Sequence, residues 1–167
     1  MTLIGTVRGL TDSGVRFVVV GGVAAAAHGS AHLTDDLDIC YDTAPDNLKR
    51  LARLLAGWRA YPRGIEPGLP FIMDVQTLRQ APMLTLTTSQ GLLDVMDVVK
   101  GVGDYAKCVA ASEETAVDTV RFRLLTLPAL IRAKRAAGRR KDLDHLIELE
   151  AIAETIAARK PARDSRS

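Results

Sequence analysis

The sequence has few cysteines, few aromatic residues and no long apolar run, and these shortages exclude several classes of protein. Only two cysteines occur in 167 residues, and Cys40 and Cys108 do not form the paired spacing of a zinc site. We expect both to be buried thiols in a reducing compartment. The longest apolar run, residues 17–27, is interrupted by two glycines and falls short of the roughly 20 residues that cross a bilayer. Residues 1–10 carry no signal-peptide pattern, so we expect a cytoplasmic protein with no membrane partner.

The remaining composition is that of an ordinary soluble globular domain. Hydrophobic residues make up 47% and charged residues 25% of the chain, and the length fits one domain with a real core. The net charge is only +2, but it is unevenly distributed: residues 121–167 carry 12 Lys+Arg and 6 Asp+Glu, whereas residues 1–120 carry 10 and 14. An acidic body beside a basic C-terminal third suits a site where carboxylates hold cations and Lys/Arg meet phosphates, although solvated helix faces produce the same imbalance.

Strand and helix patterns alternate along the chain. They predict an α/β (α+β) domain with a mixed sheet flanked by helices. The predicted strands are residues 16–20, 36–41, 83–88, 91–96 and 117–125. The predicted helices are residues 1–12, 23–28, 45–58, 74–80, 105–111 and 126–137, and a last helix that includes 143–152. Residues 59–70 are predicted to be a loop because they contain three prolines.

Capping and spacing make the helix predictions more specific. We expect Thr43 and Thr126 to cap the helices that follow them, and Gly138 to end the second of these. The apolar residues of the last helix are expected to share one buried face; they are Leu143, Leu146, Ile147 and Ile152. We divide the chain into a single domain at residues 1–157, with a core at about 1–125 and C-terminal helices at about 126–157, and a flexible basic tail at 158–167.

The segment from Val18 to Ile39 contains the most chemical information. Asp36 and Asp38 alternate with apolar residues on a predicted strand, so their side chains point to the same face. Two carboxylates this close repel each other unless a cation lies between them, and magnesium prefers carboxylate oxygens and shares its shell with substrate phosphates. The pair Gly21-Gly22, between a strand and a helix, would leave backbone N–H groups free for a phosphate. Each feature alone is common as solvated surface or a tight turn, but their combination indicates a metal–nucleotide site.

This order of residues resembles the signature of the DNA polymerase beta-like nucleotidyltransferase superfamily. That signature is Gly-Gly, a gap of about a dozen residues, and Asp-apolar-Asp-apolar; here it is Gly21, Gly22, Asp36, Leu37, Asp38 and Ile39. The family adds a third carboxylate from a later strand, which Asp94 matches best, with Asp97 as the alternative. Residues 130–142 are similar to the C-terminal stretch of small bacterial nucleotidyltransferases of the AbiEii toxin type. The resemblance implies a nucleotidyltransferase fold with a C-terminal helical portion.

The resemblance also implies roles for individual residues. Asp36, Asp38 and Asp94 would hold Mg²⁺, or alternatively Mn²⁺, and Asp94 would also act as base toward an acceptor hydroxyl. The implied phosphate contacts are Gly21, Gly22, Ser30, His32, Lys134 and Lys141. Lys134 and Asp142 complete the catalytic set, with Asp142 positioning the substrate or orienting Lys134. At His32 the relatives would carry a basic residue, usually Arg, and a histidine carries less charge near neutral pH. His28 and His145 are interpreted as structural or surface residues.

The implied reaction moves NMP from an NTP to an acceptor hydroxyl. The basic C-terminal third is compatible with RNA phosphates, although aromatic residues at 4% give little indication of base stacking. Some AbiEii-type relatives resemble enzymes that add nucleotides to the 3′ end of tRNA, so the resemblance implies tRNA as the expected acceptor. AbiEii-type proteins are toxins of toxin–antitoxin pairs, so a cognate antitoxin is an expected partner. The alternatives are a protein hydroxyl or an aminoglycoside as acceptor, or a non-catalytic binding or antitoxin module with this fold. A dinucleotide site is disfavoured because the glycines do not follow Gly-x-Gly-x-x-Gly.

Overall fold

The computed structural model describes residues 2–159, which form a seven-stranded mixed sheet flanked by helices. The helices are α1 (Leu3–Asp12), α2 (Gly21–Ala27), α3 (Pro45–Gly57), α4 (Val75–Gln80), α5 (Tyr105–Ala110), α6 (Leu127–Ala137) and α7 (Arg140–Arg159). The strands are β1 (Phe17–Val20), β2 (Asp36–Tyr41), β3 (Tyr61–Pro62), β4 (Met83–Thr88), β5 (Gly91–Met96), β6 (Val98–Val99), β7 (Gly103–Asp104), β8 (Ser112–Val117) and β9 (Val120–Leu125). The predicted α/β architecture is confirmed.

The strand order of the main sheet is β3-β4-β5-β2-β1-β9-β8. The pairs β2–β5 and β1–β9 are parallel, and the other neighbours are antiparallel. All four residues of β1 are buried, which explains why this central strand is a continuous apolar run rather than an alternating one. The topology places β2 beside β5, although α3, β3, α4 and β4 separate them in sequence.

Helix α3 contributes an apolar face to the core. Leu48, Leu51 and Leu55 are buried on this helix, and Pro45 lies in its first turn. The prediction that Thr43 caps the helix is wrong, because the N-cap residue is Ala44 and no side chain caps it. Instead, the Asp42 carboxylate accepts a hydrogen bond from the Ala44 backbone N–H at 3.0 Å. This bond gives that N–H group a partner just before the helix begins.

The C-terminal helices confirm the predicted caps and part of the predicted buried face. Thr126 caps α6 through its side chain, and Gly138 ends that helix with a φ of +62°. On α7, Leu146 and Ile152 are partly buried and pack against the core, but Leu143 and Ile147 are 53% and 65% exposed. The residues that α7 buries are Asp142, His145 and Leu149. Apolar spacing alone does not predict the buried face of α7, because Asp142 and His145 are buried where neighbouring segments supply charged and hydrogen-bonding partners.

Several boundaries also differ from the prediction. Helix α2 begins at Gly21 rather than at residue 23, and the predicted loop of residues 59–70 contains the short strand β3, Tyr61–Pro62. Residues 112–125 form a hairpin of β8 and β9 rather than one strand from 117, and Asp118 turns the chain with a φ of +54°. Helix α7 continues through Arg159, so residues 158 and 159 of the predicted tail are helical. The rest of that tail, residues 160–167, lies outside the described residues.

Two predictions from composition can be compared with the fold. Cys40 and Cys108 are both fully buried, as their small apolar character predicts. Within residues 2–159, no helix is both long enough and apolar enough to cross a membrane.

Candidate active site

Strands β2 and β5 bring three carboxylates together, which we call the acidic triad (Asp36, Asp38 and Asp94). In the parallel register of these strands, Asp38 pairs with Asp94 and Asp36 pairs with Leu92. Side chains two residues apart on a strand share a face, and directly paired residues share it as well. All three carboxylates therefore lie on one face of the sheet. The geometry selects Asp94 over Asp97 as the third carboxylate, and the function of the triad stays a prediction.

Burial and mutual repulsion make it costly to ionise the whole triad. Burial raises the pKa of Asp38 to about 7, with the Asp94 charge and hydrogen bond and the Asp36 charge adding to the effect. Burial also raises the pKa of Asp36, assisted by hydrogen bonding with Asp35 and opposed by the charge of Arg63. Asp94 is only 9% exposed. The triad is thus a concentrated negative site that positive charge would stabilise.

Arg63 supplies positive charge to this site, and the sequence analysis missed it. Its Nη1 lies 3.4 Å from Asp36 Oδ2, and its Nη2 lies 3.1 Å from Asp94 Oδ1. Nη2 also donates to the Leu86 carbonyl at 3.1 Å, and the Arg63 backbone N–H donates to the Thr85 carbonyl at 2.8 Å. Arg63 lies in the segment predicted to be a loop, and no local pattern relates it to carboxylates so distant in sequence.

Gly21 and Gly22 serve the triad through their lack of a side chain. Gly21 has a φ of +65°, and a Cβ added there would lie 2.0 Å from Asp38 Oδ2. A Cβ at Gly22 would lie 3.0 Å from the Thr34 Cβ. Hydrogen bonding from the Gly22 backbone N–H also lowers the pKa of Asp38, against the larger effect of burial. The two glycines let β2 approach α2 closely, and their predicted contact with phosphate stays a prediction.

A second polar group joins the loop after α2 to helix α7. We call it the His–Glu cluster (His32, His145 and Glu148). His32 Nδ1 lies 3.1 Å from Glu148 Oε1, and His145 Nε2 lies 3.2 Å from the hydroxyl of Ser30. Ser30 donates to Glu148 Oε1 at 2.5 Å. Ser30 and His32, predicted from sequence to contact phosphate, therefore meet a carboxylate in this structure, and their phosphate role stays a prediction.

Titration in the His–Glu cluster follows from these contacts. The Ser30 hydrogen bond, with the Ala31 backbone N–H and His32, lowers the pKa of Glu148 to about 2. Burial lowers the pKa of His145, and the charge of Lys134 adds to the effect. His145 is 8% exposed, which agrees with its interpretation as a structural residue. The sequence analysis missed Glu148, which belongs to the i, i+3 pair His145-x-x-Glu148 on α7.

Lys134 and Asp142 form an ion pair between α6 and α7. Lys134 Nζ lies 3.1 Å from Asp142 Oδ1, and Arg139 Nε lies 2.7 Å from Asp142 Oδ2. Burial alone would raise the pKa of Asp142, but the hydrogen bonds from Arg139 and Lys134 lower it. Asp142 thus contacts Lys134, and its role in orienting Lys134 or positioning the substrate stays a prediction; Lys141 is exposed. Within residues 2–159, no hydrogen bond or ion pair connects Lys134 or Lys141 to the acidic triad.

The fold can be compared with known proteins. No family model and no curated protein matches this sequence. Among solved structures, the chain is similar to a Thermotoga maritima protein described as a "putative nucleotidyltransferase", with a TM-score of 0.52, 13% identity, and coverage of 94% of this chain and 92% of that chain. An antigenic nucleotidyltransferase-like protein from Paracoccidioides brasiliensis matches with a TM-score of 0.47, 16% identity, and coverage of 94% and 86%. At 13% identity, the likeness to the Thermotoga maritima structure shows that this chain shares its fold.

Proposed function

We propose that this protein is a magnesium-dependent nucleotidyltransferase that transfers NMP from an NTP to an acceptor hydroxyl. The observation that carries the proposal is the register of β2 and β5, which pairs Asp38 with Asp94 and leaves Asp36 on the same face. Carboxylates from two adjacent strands are what a site for metal-bound phosphates requires. The fold, which resembles that of a protein described as a "putative nucleotidyltransferase", supports this assignment.

The acidic triad fits a hard divalent cation by its donor chemistry. Asp36, Asp38 and Asp94 offer only oxygen ligands, which Mg²⁺ prefers and Mn²⁺ accepts. The raised pKa of Asp38, to about 7, and the bridging position of Arg63 both reflect a need for positive charge here. These three residues would hold the ion. Magnesium, when bound, would neutralise negative charge on the nucleotide phosphates.

The protein's own side chains assist the transfer reaction itself. The acceptor oxygen forms a bond to the α-phosphorus of the NTP, the bond from that phosphorus to the bridging oxygen breaks, and pyrophosphate leaves. We assign Asp94 to take the proton of the acceptor hydroxyl, because a general base must lie beside the reacting groups. Arg63 offsets the charge of the triad before the substrate enters, through its contacts with Asp36 and Asp94.

We also assign residues to the triphosphate and a class of molecule to the acceptor. Lys134, a point charge on a flexible side chain, is assigned to the triphosphate. Its Nζ lies 3.1 Å from Asp142 Oδ1. Gly21, Gly22 and Ser30 are assigned to the β and γ phosphates. A basic C-terminal third, with 12 Lys+Arg against 6 Asp+Glu over residues 121–167, supports RNA as the acceptor, and the AbiEii resemblance makes tRNA the RNA that we propose. A role as the toxin of a toxin–antitoxin pair follows only from the AbiEii resemblance, and such an activity would need the NTP supply of the cytoplasm.

The test is to incubate the full-length protein with Mg²⁺, each α-labelled NTP in turn and total tRNA. Asp36→Ala serves as the inactive variant, and Asp97→Asn as the matched control outside the triad. Label on tRNA that Asp36→Ala abolishes and Asp97→Asn retains would support the proposal and name the nucleotide. Label on protein would keep the chemistry and change the acceptor. No label, together with no binding of Mg²⁺–NTP by calorimetry, would overturn the proposal in favour of a non-catalytic module.

A further inference from the structure

The His–Glu cluster has the composition of a transition-metal site, and neither the acidic triad nor the proposed reaction uses it. One ligand atom from each of His32, His145 and Glu148 lies within 4.8 Å of the other two. The ligands come from two parts of the chain: His32 from the loop between α2 and β2, and the i, i+3 pair His145 and Glu148 from α7. A bound ion here would connect two segments that are far apart in sequence.

The distances in the cluster are close to those of a zinc site. Zinc bonds of about 2.0–2.2 Å at tetrahedral angles place neighbouring ligand atoms about 3.4 Å apart. In this structure, Glu148 Oε1 lies 3.1 Å from His32 Nδ1 and 3.9 Å from His145 Nε2. These two separations bracket the tetrahedral value, and the ligand atoms of the two histidines lie within 4.8 Å of each other, so rotations of the side chains would bring all three ligand atoms into the coordination sphere of one ion.

The surroundings of the cluster hold its ligands in position. Glu148 Oε2 accepts a hydrogen bond from the Ala31 backbone N–H at 2.9 Å, which leaves Oε1 facing the two imidazoles. Such an outer hydrogen bond orients a ligating carboxylate. Lys134, the positive charge that most affects His145, is paired with Asp142 at 3.1 Å. His32 is half exposed, with 50% of its side chain accessible, and so provides a path by which an ion can enter.

We propose that His32, His145 and Glu148 bind a zinc-class transition-metal ion that connects α7 to the loop between α2 and β2. Two imidazoles and a carboxylate select zinc and similar ions, whereas the all-oxygen acidic triad selects magnesium. Three protein ligands leave a fourth position, which water would fill. The proposal does not depend on the proposed function, and it gives His32 a metal ligand's role in place of the phosphate contact predicted from sequence.

The test is direct metal binding to the full-length protein. The Asp38→Asn, Asp94→Asn double variant serves as the background, so that zinc bound by the acidic triad does not contribute. In that background, calorimetry should find one equivalent of Zn²⁺, and Co²⁺ should give the visible absorption of a tetrahedral site. His32→Ala should weaken Zn²⁺ binding by at least about tenfold and abolish the Co²⁺ spectrum. Zn²⁺ should also raise the melting temperature of the background protein but not of its His32→Ala derivative.

Matched variants keep the result interpretable. The chain has three histidines, and His28 lies outside the cluster, with its Nε2 2.8 Å from the Leu125 carbonyl. His28→Gln should therefore retain stoichiometric Zn²⁺. His145→Ala and Glu148→Gln should lose stoichiometric Zn²⁺ binding. If the variant at the buried His145 does not fold, the result for the variant at the half-exposed His32 tests the proposal. Absence of stoichiometric Zn²⁺, or an affinity that His32→Ala leaves unchanged, would overturn the proposal and leave the cluster as a hydrogen-bonded connection between the loop and α7.

Discussion

Asp38 and Asp94 are register partners on the adjacent parallel strands β2 and β5, and their charges and hydrogen bonding are coupled. Burial raises the pKa of Asp38, and Arg63 Nη2 lies 3.1 Å from Asp94 Oδ1. A sheet that brings two acidic residues together at its centre, with a third on the same face, needs a compensating cation.

The first prediction separates Asp94 from its neighbour in sequence. Asp94→Asn should reduce nucleotide transfer by at least roughly 100-fold, because it removes both a metal ligand and the proposed base. Asp97→Asn should leave transfer within about twofold, since Asp97 follows the end of β5 at Met96 and is not part of the triad. Transfer of labelled nucleotide under single-turnover conditions measures both. Equal losses in the two variants would contradict the assignment of Asp94.

The second prediction concerns the close approach at Gly21. Gly21→Ala should abolish metal binding, because the added Cβ would lie 2.0 Å from Asp38 Oδ2 and must displace that carboxylate. Gly29→Ala is the matched control: Gly29 also has a positive φ, +106°, but has open space around its Cβ position. Both variants should lose about 1–2 kcal/mol of stability to backbone strain. Calorimetric titration with Mg²⁺–NTP should show binding only in the Gly29 variant, and retained binding by both would refute the steric argument.

The third prediction is a pH dependence of stability set by Asp38. Its pKa is about 7 in the folded protein, above the value of about 3.9 expected in an unfolded chain. Between these values the folded state binds the extra proton, so this contribution to stability is complete below about pH 4 and is lost as the pH rises through about 7. Burial is the main cause of this raised pKa, and the charge and hydrogen bond of Asp94 and the charge of Asp36 add to it.

Thermal melting from pH 5 to pH 8 without divalent cations checks this behaviour. The melting temperature should fall across that range, and Asp38→Asn should flatten the fall. Saturating Mg²⁺ should reverse it by favouring the ionised carboxylates. Glu148, whose pKa is about 2, titrates below this window and cannot produce the effect. A wild-type protein that becomes more stable between pH 6 and pH 8 without metal would contradict the prediction.

The fourth prediction concerns Arg63 as the internal counter-charge. Arg63→Ala should destabilise the metal-free protein at pH 8 by about 1–3 kcal/mol, because Asp36 and Asp94 lose their cationic partner. Added Mg²⁺ should then raise the melting temperature more in the variant than in the wild type. Arg53→Ala, at an exposed position of α3, should do neither. A magnesium-induced shift of the same size in wild type and Arg63→Ala would show that Arg63 and the metal do not compete.

The fifth prediction tests Lys134 as a triphosphate contact. Lys134→Ala should raise the KM for NTP by about tenfold, the effect of losing one charged contact. Arg139 remains paired with Asp142 at 2.7 Å, so the buried carboxylate keeps a partner and the fold should persist. Lys141→Ala, which removes an exposed charge, should have the smaller effect. A Lys134 variant that loses stability but keeps its KM would assign this residue to the fold alone.

Much of the fold could be predicted from sequence because local rules decide it. Strand β2 has the predicted bounds, Asp36–Tyr41. Alternation of acidic and apolar residues predicts a half-buried strand from local sequence alone. Helix α6 begins after Thr126 and ends at Gly138, since cap chemistry is local. The acidic pair was visible for the same reason, because two residues on one strand share a face whatever surrounds it.

The tertiary structure decided which distant groups meet. Strand pairing placed Asp94 opposite Asp38 and brought Arg63 against the triad, and neither contact follows from local periodicity. The buried face of α7 is predicted only in part, because Asp142 and His145 are buried with partners supplied by α6 and by the loop after α2. A sequence by itself determines propensity, periodicity and capping. Long-range pairing decides which polar groups are compensated in the interior, because that compensation depends on atoms that only the complete fold brings within bonding distance.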